Sequence, residues 1–343
     1  MWCFKTECQC KMLFMKIAIV KVSSLGDIIH TMVVLQFIKK YYPNCIIDWI
    51  VEERFKGVLE NNPHINQIHT INLHRAKRDK SIKLLYKELS SLKKIGRYDL
   101  VIDFQGLIKT AMISKFLNSK HIVGFDFKSI REGVASLAYN QKVRIGYDQN
   151  TILRYSKLAS EALNINISKE KLINKQPYLF SKSNILITQS SYIILVIGST
   201  WESRNYPKEK YVQVANMLKM DCWVIWGNDQ EKKKANWMEK ESTYIRVMPK
   251  LSLDKLKFVI SKASLLIGND TGPSHISWAT NIPSLILFGP SPVERTFQSE
   301  INKVLKSSSK INHRKLDKND FSIKEISVKE IVKIAKQLLK VYS

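Results

Sequence analysis

The chain has 343 residues, 45% of them hydrophobic, with 55 lysines and arginines against 30 acidic residues and a formal net charge of +25. That length accommodates two ordinary domains with full cores, and the charge asks for an anionic partner: nucleic acid, a membrane surface or a phosphorylated substrate. Five cysteines without framework spacing exclude a disulfide scaffold and suit a reducing compartment, and no apolar run is long enough to span a bilayer.

Residues 1–14 lack the apolar stretch of a signal peptide. Cys8 and Cys10 have no second pair at zinc-finger spacing. A strand begins at once at Met15, so residues 1–14 are set aside as a disordered extension or an upstream-start artefact. Residues 16–22 read as the first strand, 23–27 as a turn and 28–41 as a helix with apolar residues at helical spacing. Strands follow over 46–51 and 68–71. Residues 75–94, basic with interleaved leucines and tyrosines, predict one amphipathic helix. A buried strand over 99–103 turns into the next helix through 104–109, and the strand 121–125 closes this half. The rhythm is lost over 164–191, where Pro177 and many Ser, Asn and Lys residues mark a linker.

The second half repeats the pattern: strand 192–197, loop 198–207, helix 208–218, strand 222–226, helix 229–240, helix 253–262, and 284–288 as the last clear strand. A terminal amphipathic helix spans 327–341. Strands alternating with helices predict parallel sheets with right-handed crossovers, and two such halves place a ligand in a cleft between domains.

The stretch Ser264-Leu-Leu-Ile-Gly-Asn-Asp-Thr-Gly-Pro-Ser-His-Ile-Ser-Trp-Ala279 reads as strand, sharp turn and helix. Gly268 and Gly272 bracket the turn, and Pro273 suits the first helical position. Asp270, Thr271 and Ser274 fall at the strand end where open α/β sheets bind ligands, beside a helix start that can seat phosphate. An anionic ligand, a nucleotide diphosphate, is expected here; a capped structural turn is the alternative. In Lys21-Val-Ser-Ser-Leu-Gly-Asp-Ile-Ile-His30, Asp27 is placed either to take a proton from an attacking hydroxyl or to cap the helix that follows. His30 is one turn further in, as a contact or a helix-face residue. Ser199, Thr200 and Arg204 have the hydroxyls and guanidinium that bind phosphate oxygens, or they form a solvated loop. Glu231 holds a ribose or sugar hydroxyl, or merely complements a helix dipole. Lys109, Lys128 and Arg131 form an anion-binding wall or a generic basic surface. The chain has no Gly-x-Gly-x-x-Gly, Walker A lysine or Gly-x-Ser-x-Gly elbow, and its histidines are scattered. These absences argue against a dehydrogenase, a P-loop NTPase, a serine hydrolase and a metal site. A nucleic-acid-binding module with aromatics interleaved among basic residues is not recognisable either.

Val22-Ser-Ser-Leu-Gly-Asp-Ile-Ile-His30, Asp103-Phe-Gln-Gly-Leu107, Gly268-Asn-Asp-Thr-Gly-Pro-Ser-His275 and Leu287-Phe-Gly-Pro290 together resemble the ADP-heptose:lipopolysaccharide heptosyltransferases of glycosyltransferase family 9. The likeness runs in order from Met15 to about Ser291. With Phe125-Asp-Phe-Lys-Ser-Ile-Arg-Glu132, it is closer to the heptosyltransferase I form, which adds heptose to Kdo of Kdo2-lipid A, than to the II or III forms with a heptose acceptor. The resemblance implies the GT-B fold, two Rossmann-like domains facing across a cleft: 15–175 for the acceptor, 176–326 for the donor, with 327–343 a C-terminal helix. It implies an inverting enzyme without metal or cofactor, with Asp27 as general base on the acceptor hydroxyl. ADP-L-glycero-β-D-manno-heptose would be held by Ser199, Thr200, Arg204, Glu231, Leu251, Asp270, Thr271, Gly272 and His275. Arg204 stands where relatives commonly have lysine, and Leu251 where some have methionine. Ser24, Gly26, His30, Gln105, Lys109 and Arg131 would meet the acceptor. The anionic partner implied is then Kdo2-lipid A in the cytoplasmic leaflet of the inner membrane, with the protein cytoplasmic and peripherally attached, and not nucleic acid.

Overall fold

The computed structural model describes residues 15–342 except Lys80 and residues 313–315; the extension expected at residues 1–14 lies outside them. Two compact units divide between Tyr178 and Leu179.

The first unit is built on six parallel strands: β1 (Lys16–Val20), β2 (Ile46–Glu52), β3 (Gln67–Ile71), β4 (Leu100–Asp103), β5 (Ile122–Phe125) and β6 (Gln141–Val143). Their spatial order is β3-β2-β1-β4-β5-β6. β1 is central, with Ile17, Ala18, Ile19 and Val20 all fully buried, as a strand covered by helices on both faces requires. Each buried isoleucine or valine among them contributes about 1.5–3 kcal/mol. After β3 the chain crosses to the other side of β1, so the turns leaving β1 and β4 separate and open a crevice at their carboxyl ends. Asp27 and Asp103 lie at those two ends.

The second unit repeats the plan with β7 (Ile193–Val196), β8 (Cys222–Ile225), β9 (Ile245–Val247), β10 (Leu265–Asn269), β11 (Ser284–Phe288) and β12 (Asn302–Lys306), in the order β9-β8-β7-β10-β11-β12. Gly268 is required within this sheet, because a Cβ there would lie 2.5 Å from the Val196 side chain of the neighbouring strand. The helix Val328–Tyr342 packs Ile331, Ala335 and Leu338, one helical stripe, into the core of this unit.

The structure departs from these expectations in several places. Residues 75–94 form two helices, Leu73–Arg78 and Ile82–Leu92, because Ser81 caps the second by accepting from the Leu84 N–H at 3.2 Å. The strand 121–125 does not close the first half; β6 follows and pairs with β5. Nor is 284–288 the last strand, since β12 pairs with β11. β9 was not anticipated either. β6, β9 and β12 are sheet edges with polar or charged residues, so they lack the apolar run that marks a central strand. Finally, a 13-residue helix, Thr151–Leu163, precedes the irregular 164–191 stretch, which itself contains the short helix Lys169–Ile173.

Candidate active site

In the first unit the turn after β1 leads into the helix Leu25–Met32. Asp27 is in the first turn of that helix and half-buried. Its Oδ2 accepts from the Ser24 hydroxyl at 2.8 Å and from the Ser24 N–H at 3.2 Å. The capping interaction is therefore real, but it uses one carboxylate oxygen. The other, Oδ1, accepts from the Tyr155 hydroxyl at 3.3 Å. Tyr155 comes from the helix Thr151–Leu163, and its oxygen in turn accepts from Lys21 Nζ at 2.7 Å. Lys21 is only 2% exposed; it also donates to the Phe104 carbonyl and lies over the Tyr155 ring, 4.5 Å from its centroid.

This arrangement fixes charge. Burial alone would raise the Asp27 pKa, but the Lys21 ammonium, the Ser24 hydrogen bonds and the nearby His30 outweigh it and hold it at about 2. Burial lowers the Lys21 pKa, opposed by the attraction of Asp27 and Asp103. The Tyr155 hydroxyl is pushed well up, first by burial and then by Asp27, so it stays a donor. Asp27 is thus an ionised carboxylate held in one orientation.

The remaining first-unit candidates divide. Ser24 touches Asp27 directly. Gln105 reaches the same turn, its Oε1 accepting from the Ser23 N–H at 3.2 Å. Asp103 shapes the neighbouring turn, accepting from the Gln105 and Gly106 N–H groups and from the Tyr139 hydroxyl at 2.8 Å. Gly26 and His30 are buried in the helix. Lys109 is exposed, and Arg131 is exposed with its guanidinium 3.6 Å from Glu132.

In the second unit the bend between β10 and the short helix Ser274–Ala279 carries Asp270, Thr271 and Gly272. Asp270 is 4% exposed and takes three partners: the Arg204 guanidinium, the Ser291 hydroxyl at 3.0 Å and His275 Nε2 at 3.4 Å. Burial would raise its pKa, but His275 and Arg204 overcome that and hold it well below the usual carboxylate range. Pro273 occupies the position just before the helix, not its first turn. The Ser274 hydroxyl donates to the Asn269 carbonyl at 2.7 Å. Thr271 and Gly272 are half-buried.

Ser199 and Thr200 lie in the loop after β7; the Ser199 hydroxyl donates to the Trp201 carbonyl, and Thr200 is exposed. Glu231, in the first turn of the helix Asp229–Glu241, accepts from the Gly227 N–H and the Asn228 side chain. Its carboxylate also lies against Gly198, where a Cβ would approach within 2.1 Å. Glu231 and the Ser199 loop are therefore neighbours, and Gly198 is what lets them approach. Arg204 and Asp270, far apart in sequence, join directly. Leu251 is half-buried, just after Lys250, whose ammonium lies 6.0 Å from the Trp226 ring centre.

Three organising residues escape a sequence reading. Asn269 is fully buried; it donates to the Ile197 carbonyl and accepts from the Tyr206 N–H and the Tyr211 hydroxyl, tying the loop after β7 to the end of β10. Lys21 carries a usable signal, a lysine between two valines at a buried strand end. Tyr155 carries none, since only folding brings its helix to Asp27.

A family model described as glycosyltransferase family 9 (heptosyltransferase) matches residues 89–324, more than half of the chain. The chain is 35% identical over 344 residues to lipopolysaccharide heptosyltransferase 1 of Campylobacter coli, covering 94% of this chain and 99% of that one. It is 27% identical over 286 residues to lipopolysaccharide heptosyltransferase 1 of Escherichia coli K12, covering 81% and 88%. The solved structure of E. coli heptosyltransferase WaaC with ADP-2-deoxy-2-fluoro heptose has a similar fold: TM-score 0.77 at 22% identity, covering 94% of this chain and 99% of that one.

Proposed function

The chain belongs to glycosyltransferase family 9 and has the GT-B fold, and from that premise we propose that it transfers L-glycero-D-manno-heptose from ADP-heptose to Kdo of Kdo2-lipid A in lipopolysaccharide core synthesis. The observation that carries this reading is the 35% identity to a lipopolysaccharide heptosyltransferase 1 along nearly the whole of both chains. The donor class follows the WaaC structure, which holds a fluorinated ADP-heptose.

Inverting transfer is an in-line displacement at the anomeric carbon. The acceptor hydroxyl oxygen forms a new C–O bond while the bond to the donor diphosphate breaks, and ADP leaves with the electron pair. Two tasks follow: removing the hydroxyl proton and stabilising the departing diphosphate. Asp27 performs the first, because it is ionised and held by Ser24 and Tyr155. A carboxylate held this low accepts the proton only as the new bond forms and the oxygen acidifies. The second task falls to Arg204, Thr271, Gly272 and His275, with Ser199 and Thr200 on the phosphates. Asp270 orients Arg204 through their direct pair, leaving the other guanidinium N–H groups for the leaving group. Glu231 takes a ribose or heptose hydroxyl, and Leu251 packs against the base. Ser24, Gly26, His30, Gln105, Lys109 and Arg131 serve the acceptor. That acceptor is an anionic lipid, so the enzyme works at the cytoplasmic leaflet of the inner membrane as a peripheral protein. Among the described residues no helix is long and apolar enough to cross a membrane.

The test is incubation with ADP-heptose and either Kdo2-lipid A or a heptosylated Kdo acceptor, followed by mass spectrometry. One added heptose on Kdo2-lipid A is expected. Transfer only to the heptosylated acceptor would reassign the step, and no transfer to either would refute the reading. ADP at 100 times its Kd should stabilise the fold by about 2.7 kcal/mol, and single-stranded RNA should not stabilise it.

A further inference from the structure

Thirteen large hydrophobic side chains are exposed among the described residues, and five of them belong to three short elements of the first unit that pack together. Ile108 (48% exposed) and Met112 (42%) are one turn apart on the helix Ile108–Phe116 and share a face. Val134 (58%) and Leu137 (74%) are three residues apart in the 3₁₀ stretch Gly133–Ala138, where such positions eclipse. Phe127 (62%) lies in the 3₁₀ turn Phe127–Ser129, with its ring against Gly133. The Ile108 N–H donates to the Glu132 carboxylate at 2.9 Å, which ties the helix to the 3₁₀ stretch. Both elements already bury another face, through Thr110, Ala111, Ile113 and Ser114 on the helix and Ala135 and Ser136 on the stretch. The core therefore does not account for the outward residues.

The rim of this apolar surface is basic. Lys109 and Lys115 sit on the exposed side of the helix, Lys128 adjoins Phe127, and Arg131 precedes the 3₁₀ stretch. Apolar side chains that enter the headgroup boundary, edged by cations that meet anionic lipid, are the chemistry of interfacial attachment.

We propose that this surface docks the chain onto an anionic lipid bilayer. The proposal deepens the functional reading above, on which it rests for the membrane-borne acceptor, and adds where the protein attaches. A second copy of the chain fits worse, since it would oppose two basic rims on molecules of net charge +25.

The test is co-sedimentation of the full chain with vesicles of phosphatidylcholine alone and of phosphatidylcholine mixed with phosphatidylglycerol, both without sugar acceptor. Tighter binding to the mixed vesicles is expected, weakening with salt. The double variant Val134→Ser/Leu137→Glu should bind them roughly 10-fold more weakly. Its melting temperature, ADP stabilisation and transfer to a deacylated, water-soluble acceptor should be unchanged. Phe127→Ser should give a smaller loss in the same direction, and Lys115→Gln/Lys128→Gln should flatten the salt dependence. Equal sedimentation of the double variant and the parent would overturn the proposal. So would a parent dimer, seen by light scattering, that the double variant dissociates. Failure of the parent to transfer heptose to the soluble acceptor while vesicle binding behaves as expected would instead refute the functional reading.

Discussion

Asp27 in the first unit and Asp270 in the second both lie just beyond the carboxyl end of a strand, in sheets of the same strand order. Each has a buried cation nearby, but the spacing differs. Arg204 binds Asp270 directly, and Ser291 and His275 take further positions on the same carboxylate. Lys21 reaches Asp27 only through the Tyr155 hydroxyl, and Asp27 remains half-buried. Both carboxylates take three protein partners, but one that is 4% exposed and bonded directly to its cation is a fixture that aims that partner. A carboxylate whose cation stands one hydroxyl away keeps its charge and still has capacity for an incoming proton. One topology thus yields an anchor and the base of the proposed mechanism, and the spacing of the counter-charge separates them.

The largest effect should come from removing the proposed base. Asp27→Ala is expected to lower kcat by roughly 10²–10⁴-fold while ADP still raises the melting temperature; near-normal turnover would transfer the role elsewhere. Next is the anchor. Arg204→Ala strands the Asp270 charge in the interior and should cost about 3–5 kcal/mol of stability, measured by urea unfolding, with donor KM raised. Arg204→Lys should recover much of the stability and less of the KM, because an ammonium does not fork onto two oxygens. If Arg204→Ala were as stable as the parent, the buried pair would not be an anchor.

A smaller effect is expected in the pH profile. Asp27 is depressed in the folded state, to about 2, against an ordinary value of about 3.9. The stability it contributes is therefore present above about pH 4 and lost as pH falls towards 2; Asp27→Asn should remove that slope. Lys21→Met deletes the main group holding the pKa down, so the acid limb of kcat/KM should move to higher pH. An unmoved limb would show that Lys21 acts through packing alone. The smallest change in rate is expected from Tyr155→Phe, which removes the hydrogen bond to Asp27 and one acceptor of Lys21 and leaves the ring. A loss of about 0.5–1.5 kcal/mol in transition-state stabilisation is expected, read mainly in kcat.

The sequence revealed the central strands because their residues are apolar in succession, as in β1 and β10, and it revealed the turns after them because glycine, proline and short polar residues cluster there. It did not reveal β6, β9 and β12, since an edge strand needs no continuous apolar run. Candidate residues within one motif, such as Asp270 and His275, were legible together because a single bend holds them. The pair Arg204–Asp270 and the series Lys21–Tyr155–Asp27 were not, since their members meet only after distant segments fold onto one sheet end. Arg204 was legible as a cation for phosphate, but its fixed bond to Asp270 was not.

The hydroxyl that steadies Asp27 belongs to a residue 128 positions further along the chain. On the ribosome, at about 5–20 residues per second, roughly 6–26 s separate the synthesis of these two residues. By the end of that interval all six strands of the first unit have been made, but not the whole helix that completes the constellation around Asp27. The surroundings of Asp27 are therefore completed late in the biogenesis of this half, and a chain stopped before residue 151 would have the carboxylate without the Tyr155 hydroxyl that steadies it.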